Sequence, residues 1–136
     1  MPTLTILLDT NEYIFGLTKP EGDSAKLLEN LPSFIVKLPR FILSEIHSNL
    51  PEDMNKIFYA LLKEAKVEIV EEPIPASLVA KYKKQLPEED AVIAAYCEFL
   101  QVDILISENR HFLVDFHPKA FKVLSAQNFL AQYPNF

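Results

Sequence analysis

The sequence predicts an α/β fold, a mostly parallel central sheet flanked by helices, on three observations. Short apolar runs alternate along the chain with stretches of helical periodicity, as strands and helices do when taken in turn. The first run, Leu4-Thr5-Ile6-Leu7-Leu8, is short and uninterrupted, which is the pattern of a strand buried on both faces of a parallel sheet. Both this run and Val102-Asp103-Ile104-Leu105-Ile106 stop at clusters of polar residues, at the strand end where open α/β sheets bind ligands.

The first polar cluster is Asp9-Thr10-Asn11. A carboxylate at this edge is a candidate for chemistry, but all three residue types are also preferred N-caps, and taken alone Asp9 reads as a cap. Residues 12–15 form a short helical start, and 16–22, with Pro20 and both glycines, read as a loop. Asp23-Ser24 then offers a cap to a helix carrying Ala25, Leu27, Leu28 and Leu31, ended by Pro32. A second strand is expected at 34–38. Pro39 suits the first turn of a third helix, in which Ile42, Ile46 and Leu50 recur every four residues. Glu45 stands on the shoulder of that stripe, within reach of the sheet edge; taken alone it reads as a solvated glutamate. His47 has no partner at a recognisable spacing and is assigned no role.

Pro51-Glu52-Asp53 opens a helix over 54–65 with Ile57, Phe58, Leu61 and Leu62 as its apolar face. A short strand follows at 67–70, then Pro73 and Pro75, then a helix over 76–85 whose Lys81, Lys83 and Lys84 read first as a solvated face. The helix opened by Pro87 begins with Glu88, Glu89 and Asp90, acids that complement a helix dipole. Asp90 precedes Ile93, Ala94 and Cys97 by three, four and seven residues, so it projects along a buried stripe and needs a partner. Glu89 also has apolar neighbours at helical spacing, and periodicity alone does not choose between the two. After strand 102–106 comes Ser107-Glu108-Asn109-Arg110-His111-Phe112, in which Ser107 and Asn109 are equally well read as caps of a short turn. Strand 121–124, a Ser125 cap and a helix over 126–132, stopped by Pro134, close the chain.

At 136 residues the chain is expected to be one domain, spanning 1–136, with enough length for a sizeable core. A hydrophobic fraction of 49% and a charged fraction of 24% fit an ordinary globular protein and argue against disorder. A single cysteine, Cys97, excludes a disulfide framework and a zinc site of cysteine pairs. No membrane span and no signal peptide are expected, and a cytoplasmic location fits. The net charge of −6 argues mildly against a broad basic nucleic-acid surface; carboxylates gathered for a cation would contribute to the same sum.

Four motifs, in order, now carry a resemblance: the apolar strand with Asp9-Thr10-Asn11, Ser44-Glu45 on a helix, Glu89-Asp90-Ala91-Val92-Ile93-Ala94-Ala95 opening another, and the strand ending in Ser107-Glu108-Asn109-Arg110-His111-Phe112. Together they resemble the PIN-domain family over nearly the whole chain. The resemblance implies a three-layer α/β sandwich and a metal-dependent ribonuclease, often the toxin of a toxin–antitoxin pair of the VapC type, or a related stand-alone protein. Matched position by position, the family's acidic metal-site residues fall on Asp9, Glu45 and Asp90; a position often held by a fourth aspartate falls on Asn109, and Asn11 matches a polar residue beside the first aspartate.

The resemblance further implies Mg²⁺ or Mn²⁺, hard cations suited to oxygen ligands, which hold a phosphodiester, acidify a water and stabilise the leaving oxygen. Asp9 and Asp90 would be principal ligands, Glu45 a ligand or water-orienting base, and Asn109 an auxiliary polar contact, with single-stranded RNA as substrate. An antitoxin protein and a homodimer are the implied protein partners. Arg40, Arg110 and the 81–84 lysines are candidates for flanking phosphates, though each reads first as surface charge. With Asn109 the site has three formal negative charges, and Glu108 or Asp115 is a candidate to compensate. A phosphatase forming an aspartyl-phosphate would usually carry a second aspartate where Asn11 stands. The stronger rival is a catalytically silent PIN-like module that binds RNA or protein.

Overall fold

β1 (Thr5–Leu8) lies at the centre of the sheet in a computed structural model, which describes residues 3–134. β2 (Ile35–Pro39) and β3 (Glu68–Val70) extend the sheet on one side of it, β4 (Ile104–Ile106) and β5 (Lys122–Leu124) on the other. The order is β3-β2-β1-β4-β5 and every neighbouring pair is parallel. Successive strand residues face opposite sides, and Ile6, Leu7 and Leu8 are all fully buried, so helices cover both faces. The expected three-layer α/β sandwich is therefore the fold observed.

The covering helices are α1 (Thr10–Thr18), α2 (Asp23–Glu29), α3 (Arg40–Asn49), α4 (Asn55–Glu64), α5 (Ala76–Lys83), α6 (Glu88–Phe99), α7 (Arg110–Leu113) and α8 (Ala126–Gln132). Ile42 and Ile46 are buried on α3 as their spacing predicts, and Leu50 is buried just past its end. α6 is buried on most of its circumference, Ala91, Ile93, Ala94, Ala95 and Cys97 included. Among the described residues no helix is long and apolar enough to cross a membrane.

Five local expectations are corrected. Gly16 is not in a loop: α1 continues through it, and since a Cβ there would lie 2.3 Å from Leu28 Cδ1, its missing side chain lets α2 pack closely. The N-cap of α2 is Gly22, one residue before Asp23-Ser24, and Leu31 falls in a separate 3-10 turn, Leu31–Ser33. Pro51 precedes a 3-10 turn, Glu52–Met54, before α4 begins. On α4 the buried pair is Phe58 and Leu62, while Ile57 is 54% exposed, so the apolar stripe is narrower than its composition suggests.

Candidate active site

Because β1 and β4 are neighbours, with Leu8 opposite Ile106, the residues that end them meet at the C-terminal edge of the sheet. The Asp9 N–H donates to Ile106 O at 3.0 Å, and Asp9 then turns the chain into α1. Its Oδ1 accepts the Thr10 N–H at 2.8 Å, so Asp9 is an N-cap. Capping occupies one oxygen. The other, Oδ2, accepts the Ser107 hydroxyl at 2.8 Å, which holds the carboxylate against the end of β4.

Each remaining site residue comes from a different element. Glu45, on α3, accepts from Thr10 Oγ1 at 3.3 Å. Asp90 stands in the first turn of α6, nearly buried, whereas Glu89 is exposed; the structure thus makes the choice that periodicity left open. Asn109 caps α7 through its Oδ1, which accepts the His111 N–H at 2.9 Å, and its Nδ2 donates to Asp90 Oδ1 at 3.1 Å. The cap and the site contact are made by opposite ends of one amide. His111 Nδ1 lies 2.7 Å from Asp90 Oδ2, and Ser107 Oγ accepts the Asn109 N–H at 3.0 Å. A continuous run of hydrogen bonds therefore joins Asp9, Ser107, Asn109, Asp90 and His111.

Asp9, Asn11, Glu45, Glu89, Asp90 and Asn109 line one cleft of about 250 Å³. All four sequence-predicted site residues, Asp9, Glu45, Asp90 and Asn109, come together there. Burial raises the Asp9 carboxyl above its usual range, against the Ser107 and Thr10 hydrogen bonds, and the Asp90 charge adds to the rise. Glu45 is raised as well, first by burial and then by the charges of Glu89, Asp9 and Asp90, against the Thr10 bond. Four carboxylates, Asp9, Glu45, Glu89 and Asp90, line the cleft, with no Lys or Arg among the described residues that line it.

An all-oxygen donor set with this charge fits a hard divalent cation. Among the described residues no three His, Cys, Asp or Glu side chains stand close enough to form a ready cage. An ion would be held by Asp9, Glu45 and Asp90 drawn together, and the raised Asp9 and Glu45 carboxyls are what such an ion would relieve.

Other expectations change. Neither Glu108 nor Asp115 compensates for Asn109 in the cleft: Glu108 turns away to accept the Ala126 N–H at 2.9 Å, and Asp115 lines a different pocket with Arg110 and His111. Arg40 and Lys83 pair with Glu71 and Glu88, exposed ion pairs of small energetic weight, and Lys81 pairs with the half-buried Glu98. Two residues missed in the sequence take part, Ser107 by linking two site residues and His111 by pairing with Asp90; Glu12, missed as well, is fully buried and does not line the cleft. His111 carried a signal, two residues after Asn109 in the same polar cluster; Ser107 carried only that of a cap.

No family model matches the sequence, and no curated protein matches it. The fold is similar to a chain in the crystal structure of VapBC2 from Rickettsia felis bound to a DNA fragment from their promoter. The TM-score is 0.64 at 14% identity, over 90% of this chain and 98% of that one. At this identity the likeness shows the fold.

Proposed function

We propose that this chain is a ribonuclease that uses Mg²⁺ or Mn²⁺ to hydrolyse phosphodiester bonds in single-stranded RNA. The observation that carries the reading is the meeting of Asp9, Glu45 and Asp90 from three separate elements in one cleft lined by carboxylates, without Lys or Arg among the described lining residues, at the C-terminal sheet edge. A bound divalent cation supplies phosphate binding, a lowered pKa for attacking water and charge neutralisation at the leaving oxygen. Asp9 is fixed for cation binding by Ser107 and by its own cap, and Asp90 by Asn109 and His111. Glu45, half-buried and raised, is placed to bind or to take a proton from water. The PIN-like fold and its likeness to a chain of a VapBC2 complex support a toxin role in a toxin–antitoxin pair, with an antitoxin as protein partner.

The second reading is a PIN-like module that binds RNA or protein without cleaving, favoured by Asn109 where a further carboxylate would strengthen the site. Cleavage of end-labelled single-stranded RNA in Mn²⁺ separates the two. The parent is expected to cut and to stop on addition of chelator, and Asp9→Asn to lose at least about a hundredfold in rate, as for loss of a principal electrostatic group. Cutting that survives both chelator and Asp9→Asn overturns the metal-dependent reading. A reading of the neighbouring open reading frame tests the antitoxin.

A further inference from the structure

Glu12 is a charged-type side chain with 0% exposure, and the cleft does not use it. It leaves α1 for a junction with α2, the loop after β4 and the start of α8. Its Oε1 accepts the Ser24 hydroxyl at 3.1 Å, while its Oε2 is buried without a protein donor. The Glu108 carboxyl faces it from the loop, and Glu108 Oε2 is occupied by the Ala126 N–H. Two facing carboxylates, one of them fully buried, repel; a single shared proton turns the same contact into a hydrogen bond. An acid O–H on Glu12 satisfies the orphaned oxygen and gives Glu108 a donor at once. Burial and then Glu108 push the Glu12 carboxyl up to about 9, which fits a group that keeps its proton at neutral pH.

The surrounding groups agree with a neutral acid. Ser24 on α2 and the Ala126 N–H on α8 are uncharged donors, and Asp9, on Glu12's own turn, adds negative charge. Lys19 and Asp23 border the adjoining surface pocket that Ser24 and Glu108 also line, and the Lys19 ammonium lies 4.3 Å over the Phe15 ring.

We propose that Glu12 is a positioning residue: as a neutral acid it donates to Glu108 and so holds the Ser107-Glu108-Asn109 loop from behind, where Ser107 reaches Asp9 and Asn109 reaches Asp90. The consequence for the cleft rests on the ribonuclease reading, but the hydrogen bond does not, and the experiment separates them. In infrared spectra of metal-free protein at neutral pH, the carbonyl stretch of a protonated carboxylic acid is expected in the parent and absent in Glu12→Gln. No such band in the parent overturns the shared proton.

The positioning role is read from the NMR signals of the Asn109 side-chain amide. Glu12→Leu fills the space without donating, so these signals are expected to shift and Mn²⁺ affinity to fall about tenfold, equivalent to about 1.4 kcal/mol. Glu12→Gln, which offers an N–H in place of the O–H, is expected to keep both near the parent's values. Unchanged Asn109 signals in folded Glu12→Leu overturn the role. Should Glu12→Leu fail to fold, Glu108→Ala replaces it: it removes the exposed acceptor, and the same signals must move or the role falls. A parent that shows the band and the signal shifts but binds no Mn²⁺ refutes the metal reading and leaves the hydrogen bond standing.

Discussion

Asp9 and Glu12 are three residues apart in the same turn of chain, yet the structure treats their carboxyl groups in opposite ways. Asp9 opens on the cleft and is met by two donors, the Ser107 hydroxyl and the Thr10 N–H, which support its charge. Glu12 faces inward to one hydroxyl and another carboxyl, an environment that supports only a neutral acid. The difference teaches that donors, set against burial, decide what a carboxyl can do here. A group that keeps its charge at an edge can bind a cation; a group that keeps a proton can hold a loop.

Titration is the strongest way to break this contrast. Between the ordinary glutamate value of 4.5 and about 9, the folded chain holds a proton on Glu12 that the unfolded chain has released. That stabilising contribution is complete below the unfolded value and is lost as pH rises through the folded one. Relative to Glu12→Gln, the parent's unfolding free energy should fall with rising pH, by at most about 1.4 kcal/mol per unit for one proton. Urea denaturation in chelator at several pH values from mildly acidic to mildly alkaline measures the slope. Asp9 and Glu45 are raised too, but they are present in both proteins and cancel. Parallel pH profiles would show that Glu12 is charged like Asp9.

A smaller effect is expected from Asn109→Asp, which sharpens the account of the cleft. Aspartate can still cap α7, but it replaces the donor 3.1 Å from Asp90 Oδ1 with a like charge. The metal-free protein should lose about 1–2 kcal/mol, the cost of an unpaired partly buried acceptor. Thermal melts should also show a larger rise on adding Mn²⁺ than the parent shows. Melting equal to the parent's in chelator and in Mn²⁺ would reduce Asn109 to a cap.

The smallest expected effect belongs to Glu45→Gln. Glu45 is only half-buried, so solvent screens the repulsion from Glu89, Asp9 and Asp90, and the amide oxygen can still accept from Thr10. Its removal should stabilise the metal-free protein by no more than a few tenths of a kcal/mol. Calorimetric melts in chelator test the sign; a clear loss of stability would make Glu45 a structural residue of α3.

The sheet and the cleft were legible in the sequence to different depths. An apolar run ending in a polar cluster predicts a buried strand and its functional end because both follow from local chemistry, and Asp9 and Asn109 lie at those ends. Asp90 was legible only as one of two acids over a buried stripe, and burial of Asp90 with exposure of Glu89 decides between them. Glu12 was not, since nothing in the short helical start at 12–15 marks it as buried, and a glutamate at this spacing can instead reach back to the cap N–H. Here that N–H is already bonded to Ile106 O across the sheet, which leaves Glu12 free to turn inward. Gly16 was misread for a related reason. Its packing against Leu28 is a contact between two helices, and no local pattern distinguishes it from a loop glycine.

The bond from Ser107 to Asp9 spans 98 residues of chain, and this separation has a consequence for biosynthesis. On a ribosome adding about 5–20 residues per second, Asp9 waits roughly 5–20 s before Ser107 has even been made. β1 waits as long for β4, its neighbour in the sheet, so one side of the central strand stays unpaired until residues 104–106 have been made. An incomplete chain carries the first aspartate without the serine, asparagine and second aspartate that complete its surroundings. Whatever the cleft does, a half-made copy of this protein cannot do it.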